Sequence, residues 1–104
     1  MKIEQTHQID AGESDVNGKY DWYYEYDVYR FIEGDRTWVA RSYKNTGEEV
    51  QFLRLEVGTK SVGITAEKLS DPLFQQALLH LRSIGKLRIE HLGPEGYAPF
   101  PTEA

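Results

Sequence analysis

The sequence predicts an α+β fold, an antiparallel β-meander of about four to five strands followed by one amphipathic α-helix packed on one sheet face. Three observations carry this. Tyr20 to Glu33 holds five of the seven tyrosines with Trp22 and Phe31 in one strand-like run. Turn signals at Gly34-Asp35, Asn45-Thr46-Gly47-Glu48 and Gly58-Thr59 follow it at strand spacing. Asp71-Pro72 then opens an apolar stripe of helical period that ends before Gly85.

In chain order, Ile3 to Ile9 alternates weakly and makes a first strand, and the Ala11–Gly18 segment reads as a loop with Asn17-Gly18 as its turn. The aromatic strand is followed by strands over Arg36 to Lys44 and Glu49 to Val57, and a short one over Ser61 to Thr65. Asp71 supplies an N-cap carboxylate and Pro72 the first helical position. Leu73, Phe74, Ala77, Leu78, Leu81 and Ile84 share one stripe, with Leu79 nearly opposite as an exposed leucine. Leu87 to Leu92 forms a last strand. Residues 1–92 thus make one domain, and the segment from Gly93 to Ala104, with three prolines and two glycines, reads as a flexible tail.

A two-residue loop at Gly34-Asp35 pairs residues whose numbers sum to 69, setting Phe31 against Trp38, Tyr29 against Ala40, Tyr26 against Tyr43 and Glu25 against Lys44. A four-residue second turn then sets Trp38 against Leu55, Ala40 against Leu53 and Tyr43 against Val50. One face gathers Tyr29, Phe31, Trp38, Ala40, Leu53, Leu55 and Val57, the core beneath the helix. The other gathers Trp22, Tyr24, Tyr26, Val28, Ile32, Val39, Tyr43, Val50 and Phe52 with Arg30, Arg41 and Arg54. The apolar residues of the aromatic strand change parity near Val28-Tyr29, and a β-bulge is the expected cause.

One helix cannot cover both faces, and leaving several large apolar side chains wet forfeits several kcal/mol, at roughly 25 cal/mol per Å². The second face is therefore the expected binding surface, through Trp22, Tyr24, Tyr26, Arg30, Arg41, Tyr43, Phe52 and Arg54. Its candidate occupants are a second copy in a homodimer, a heterologous protein, the chain's own first strand, 10–19 loop or tail, and single-stranded nucleic acid stacked on the rings. The order of strands before one helix, with Gly63-Ile64-Thr65 ahead of a Glu/Lys-bearing segment, resembles the single-stranded-DNA-binding coactivators over the last third of the chain. That resemblance implies the nucleic-acid occupant. A formal charge of −5 and the absence of a lysine-rich arm weigh against it.

The function expected is non-enzymatic binding by a small soluble, acidic, cytoplasmic domain. Without cysteine there is no disulfide, thiolate nucleophile or thiolate metal site, and no apolar run reaches membrane-spanning length. No catalytic or cofactor motif stands out, and no metal or cofactor is expected. Asp21, Glu25 and Asp27 share one strand face, with neighbours about 7 Å apart, but read as solvated strand ends. His7, His80 and His91 lack metal-ligand spacing, and His7 is best read as a hydrogen-bonded structural histidine. A small-molecule pocket between sheet and helix is the remaining alternative.

Overall fold

Local turn chemistry builds the first half of the fold. The computed structural model describes residues 1–12, 17–18, 22–93 and 96–99. Strand β1 (Lys2–Ala11) pairs antiparallel with β2 (Tyr23–Glu33), which pairs with β3 (Arg36–Tyr43), which pairs with β4 (Glu49–Val57). Gly34 takes φ 62°, a left-handed conformation that glycine adopts without a Cβ penalty, and closes the β2–β3 hairpin in the expected register. Gly58, also at φ 62°, turns β4 into the short β5 (Lys60–Val62).

Helix α1 (Pro72–Ser83) starts and stops as its end residues dictate. The Asp71 side chain accepts from the Leu73 amide at 3.1 Å, satisfying one of the donors that a helix start leaves unpaired. At the other end the Lys86 amide donates to the Leu81 carbonyl at 3.0 Å and the Gly85 amide to the Arg82 carbonyl at 3.2 Å. With Gly85 at φ 91°, this is a Schellman stop. Leu73, Phe74, Ala77, Leu78 and Leu81 are buried, whereas Ile84, expected in the stripe, lies beyond the last helical turn and is exposed. Leu79 points to solvent as expected.

Beyond the helix, β6 (Arg88–Gly93) lies parallel to β4, pairing Val50 with Ile89 and Phe52 with His91. The helix is therefore a crossover that returns the chain to the start of β4, where the Leu87 and Arg88 amides donate to the Glu48 carbonyl at 2.9 and 3.0 Å. Within the segment read as a tail, β7 (Gly96–Pro99) pairs antiparallel with β6. The resulting sheet runs β1-β2-β3-β4-β6-β7, with β5 on the remaining length of β4.

The core lies between the helix and one face of the sheet. Phe74 packs against Trp38 and Phe52, with ring centroids 4.7 and 4.9 Å away, and Trp38, Phe31, Phe52, Phe74, Leu73 and Leu81 are all under 2 % exposed. These side chains fill the helix–sheet interface.

Asp71 ties this core to the helix start. Its second carboxylate oxygen accepts from the Trp38 indole at 3.1 Å and forms an ion pair with Arg36.

One expectation about the faces is corrected by the β3–β4 register. Trp38 opposes Leu55 and Val39 opposes Arg54, but Ala40 then opposes Phe52, because one residue is bulged out at Leu53. Since side chains alternate, a one-residue slip exchanges the faces of everything beyond it. Val50 and Phe52 therefore belong to the core at 0 % exposure, and Leu53 joins the opposite face. Val57 keeps its expected parity but stands at the open end of the strand and is exposed. No bulge interrupts β2, whose register with both neighbours is continuous through Val28 and Tyr29.

Candidate functional site

The even-numbered positions of β1 and β2, with Val39, Arg41 and Tyr43 of β3, form the sheet face away from the helix. Of the residues expected there, Trp22, Tyr24, Tyr26, Arg30, Arg41, Tyr43 and Arg54 share that face, and Phe52 does not. One of the proposed intramolecular covers is accounted for, since β1 lies within the plane of the sheet and cannot overlie it; of the tail, β7 also lies in that plane, and residues 94–95 and 100–104 lie outside the described residues. Asp21 and residues 13–16 and 19–20 of the loop lie outside the described residues.

This face has two distinct halves. In the first, Arg30 Nη1 donates to Glu56 at 2.8 Å and Arg54 Nε donates to its other oxygen at 3.0 Å. The Arg54 hydrogen bond first, and then that of Arg30, holds Glu56 below the usual carboxylate value against the opposing effect of burial. Val28, Val39 and Leu53 share this surface with Arg30, Arg41 and Arg54, and Val39 is only 1 % exposed. A shallow depression of about 450 Å³ remains between these residues, Thr6 and Gln8.

The second half is aromatic and open. Tyr43 stands between Tyr24 and Tyr26, with centroids 5.8 and 5.6 Å away in tilted and edge-on arrangements. The Arg41 guanidinium carbon sits 4.8 Å from the Tyr43 ring centroid, a cation–π contact. Trp22 lies flat over Gly12, where any Cβ would come within 2.8 Å of the indole, so glycine is required for this approach. The Gly12 amide donates to the Trp22 carbonyl at 2.9 Å and the indole donates to Asp10 at 3.2 Å. Trp22 and Tyr24 are nonetheless about half exposed.

On the helix side, beyond the reach of the helix, β1 adds His7 to the Glu25 and Asp27 face of β2, a meeting that sequence reasoning did not foresee. His7 Nδ1 is 2.8 Å from Asp27 and Nε2 is 2.8 Å from Glu25. Both ring nitrogens face carboxylates, which only the doubly protonated imidazolium satisfies. Glu25 also accepts from Lys44 at 3.3 Å and from the Tyr23 hydroxyl at 3.2 Å, and Asp27 accepts from Gln5 at 3.3 Å. A cavity of about 270 Å³ adjoins them, floored by Ser42 and Lys86. Lys86 donates to Ser42 Oγ at 3.1 Å and to the Gly47 carbonyl, and Ser42 donates to the Glu49 carbonyl at 2.6 Å. The cations and carboxylates neutralise one another, and the group acts as a clasp joining β1, β2 and the turn after β3. The sequence predicts the Glu25–Lys44 pair and a hydrogen-bonded His7, but not the histidine's carboxylate partners, because the β1–β2 register is set across a long connection rather than a tight turn.

The Asp27 hydrogen bond, followed by Glu25, raises the His7 pKa above its ordinary value of 6.5, while Lys44 first, then Tyr23 and His7, lowers Glu25 below 4.5. The histidine's contribution to stability is therefore fully present below pH 6.5 and is lost as pH rises through its higher folded value. The Glu25 contribution is present above pH 4.5 and is lost as pH falls through its lower folded value. We expect His7 ring resonances to titrate with a midpoint above 6.5. Amide protection over residues 5–9, corrected for intrinsic exchange, should fall as that midpoint is passed. A midpoint below 6.5 would remove the clasp.

Comparisons with protein-family models, curated proteins and solved structures found no match. Among the described residues, no helix is long and apolar enough to cross a membrane.

Proposed function

We propose that this chain is a non-enzymatic protein-interaction domain whose aromatic half-face, with Trp22, Tyr24, Tyr26, Arg41 and Tyr43, receives a segment of a heterologous protein. One observation carries the reading: a Tyr24–Tyr43–Tyr26 cluster with the Arg41 guanidinium over Tyr43 lies on the face away from the helix, Tyr24 and the neighbouring Trp22 about half exposed and the others half-buried, in the residue types that interface hot spots favour. The other half-face argues for a segment rather than a second sheet. Stacking two whole faces would bury the Arg30–Glu56–Arg54 group, and the desolvation cost of such charges commonly matches or exceeds their mutual attraction. The exposed aromatic end is a patch of a few side chains, suited to an extended or helical segment.

Solution mass across a wide concentration range, with Tyr43→Glu and Tyr26→Glu beside the wild type, separates the occupants. The reading expects any self-association to survive both substitutions, since the face is reserved for another chain. Dissociation of a dimer by either substitution would instead make the face a homodimer surface. A titration with single-stranded oligonucleotides provides the other arm: tight binding with steep salt dependence would replace the protein partner by nucleic acid.

A further inference from the structure

We infer that the outer edge of β1 is a self-recognition strand, which pairs antiparallel with β1 of a second copy in the register centred on Thr6. The inference does not rest on the reading of the aromatic face. Strand β1 is the terminal strand of the sheet, ten residues long, in unbroken register with β2, with no proline and no bulge. Its outward N–H and C=O groups have no partner strand among the described residues. Native sheets usually blunt such an edge. The opposite edge of this one is blunted, since β7 is four residues long and ends at Pro99, which has no backbone donor.

The occupant follows from the strand's own sequence. Lys2-Ile3-Glu4-Gln5-Thr6-His7-Gln8-Ile9-Asp10 is chemically palindromic about Thr6. In that register Lys2 meets Asp10 of the second copy, Ile3 meets Ile9, Glu4 meets Gln8, Gln5 meets His7, and Thr6 meets Thr6. Each is a favourable cross-strand combination, and the two-fold axis makes the first four occur twice. Ile3 and Ile9 are now 37 % and 58 % exposed and would be covered by each other. Asp10 uses one oxygen for the Trp22 indole and keeps the other for Lys2.

Alternative registers lose these pairs. Sliding by two residues one way sets Glu4 against Asp10 and Ile3 against Ala11, and the other way sets Ile3 against His7 and Lys2 against Gln8. Sliding by one sets residues whose N–H and C=O groups point outward against residues whose groups point back to β2, so no ladder forms. Each of the even registers keeps the two open faces on the same side of one continuous sheet, and among them the Thr6-centred one alone sets Lys2 against Asp10 and Ile3 against Ile9. Such a dimer presents two aromatic patches together and so offers bivalent binding.

Sedimentation equilibrium on the wild type, Lys2→Glu, Asp10→Lys and an equimolar mixture of the two variants tests this directly. The wild type is expected to dimerise. Each single variant places like charges opposite each other twice and should weaken the dimer about tenfold. The mixture should recover near wild-type affinity as a heterodimer. There the glutamate introduced at position 2 of one chain meets the lysine introduced at position 10 of the other, and the unchanged Asp10 of the first meets the unchanged Lys2 of the second.

Because the chain has no cysteine, single introduced thiols report the register independently. Thr6→Cys chains should cross-link to one another through a short bismaleimide. Gln8→Cys chains, whose thiols would stand about 14 Å apart along the strand, should not. A wild type that stays monomeric at millimolar concentration would overturn the inference, as would a dimer indifferent to both charge variants or equal cross-linking from the two thiol positions.

Discussion

Asp71→Ala is expected to destabilise the domain by about 2–4 kcal/mol, the sum of a lost helix N-cap and an unpaired buried indole donor. The Asp71 carboxylate divides its oxygens: one accepts from the Leu73 amide, and the other serves the Trp38 indole and Arg36. This one side chain joins the helix start, the centre of β3 and the residue that follows the β2–β3 turn. Asp71→Asn has one acceptor oxygen where two are used, so it should fall between alanine and wild type. Urea unfolding of Asp71→Ala, Trp38→Phe and the double variant forms a cycle in which the cost of losing Asp71 shrinks by about 1 kcal/mol once the indole donor is gone. Equal costs in the two backgrounds would mean that the Trp38 contact contributes nothing.

Phe52→Ala is expected to cost about 3–5 kcal/mol and Leu53→Ala less than about 1 kcal/mol. Phe52 is fully buried against Trp38, Phe31 and Phe74, while Leu53 is half-buried and lines the depression on the other face. The larger loss approaches the whole stability of a small domain. The contrast bears on the bulge, because a β4 strand without the slip would bury Leu53 and expose Phe52, and the order of the two losses would reverse. Thermal or urea unfolding of both variants decides it.

These two predictions mark what was legible in the sequence and what was not. Asp71-Pro72 and Gly85 announced the helix because capping and left-handed φ are local requirements, met by residues beside the helix itself. Gly34-Asp35 likewise set the β2–β3 register to the residue, and with it the Tyr26–Tyr43 pair at the heart of the aromatic half-face. The bulge at Leu53 had no such sign. A bulge adds one residue to a strand of ordinary composition, and alternation carried across it put Phe52 and Val50 on the wrong face.

Two other features depend on tertiary pairing and so escaped the sequence. The parallel placement of β6 against β4 follows from where the helix delivers the chain, not from the composition of Arg88–Gly93. The His7 clasp depends on the register of β1 against β2 across a connection too long to fix it locally. The parity change in the aromatic strand has a plain origin once the structure is known. The helix covers only Tyr29 and Phe31 on its side, and the same side at Glu25 and Asp27 is occupied by His7 instead of by core.

The functional account places a partner segment on the aromatic half-face. The most direct measurement is site-specific photocross-linking in cells of the native host, with a benzophenone side chain at Tyr24 and, as a control of similar exposure, at Leu79 on the outer face of the helix. The account predicts a discrete covalent adduct with a second protein from position 24, lost when Arg41→Glu and Tyr43→Glu are added, and no such adduct from position 79. Absence of an adduct at position 24, or the same adduct from both positions, would contradict it.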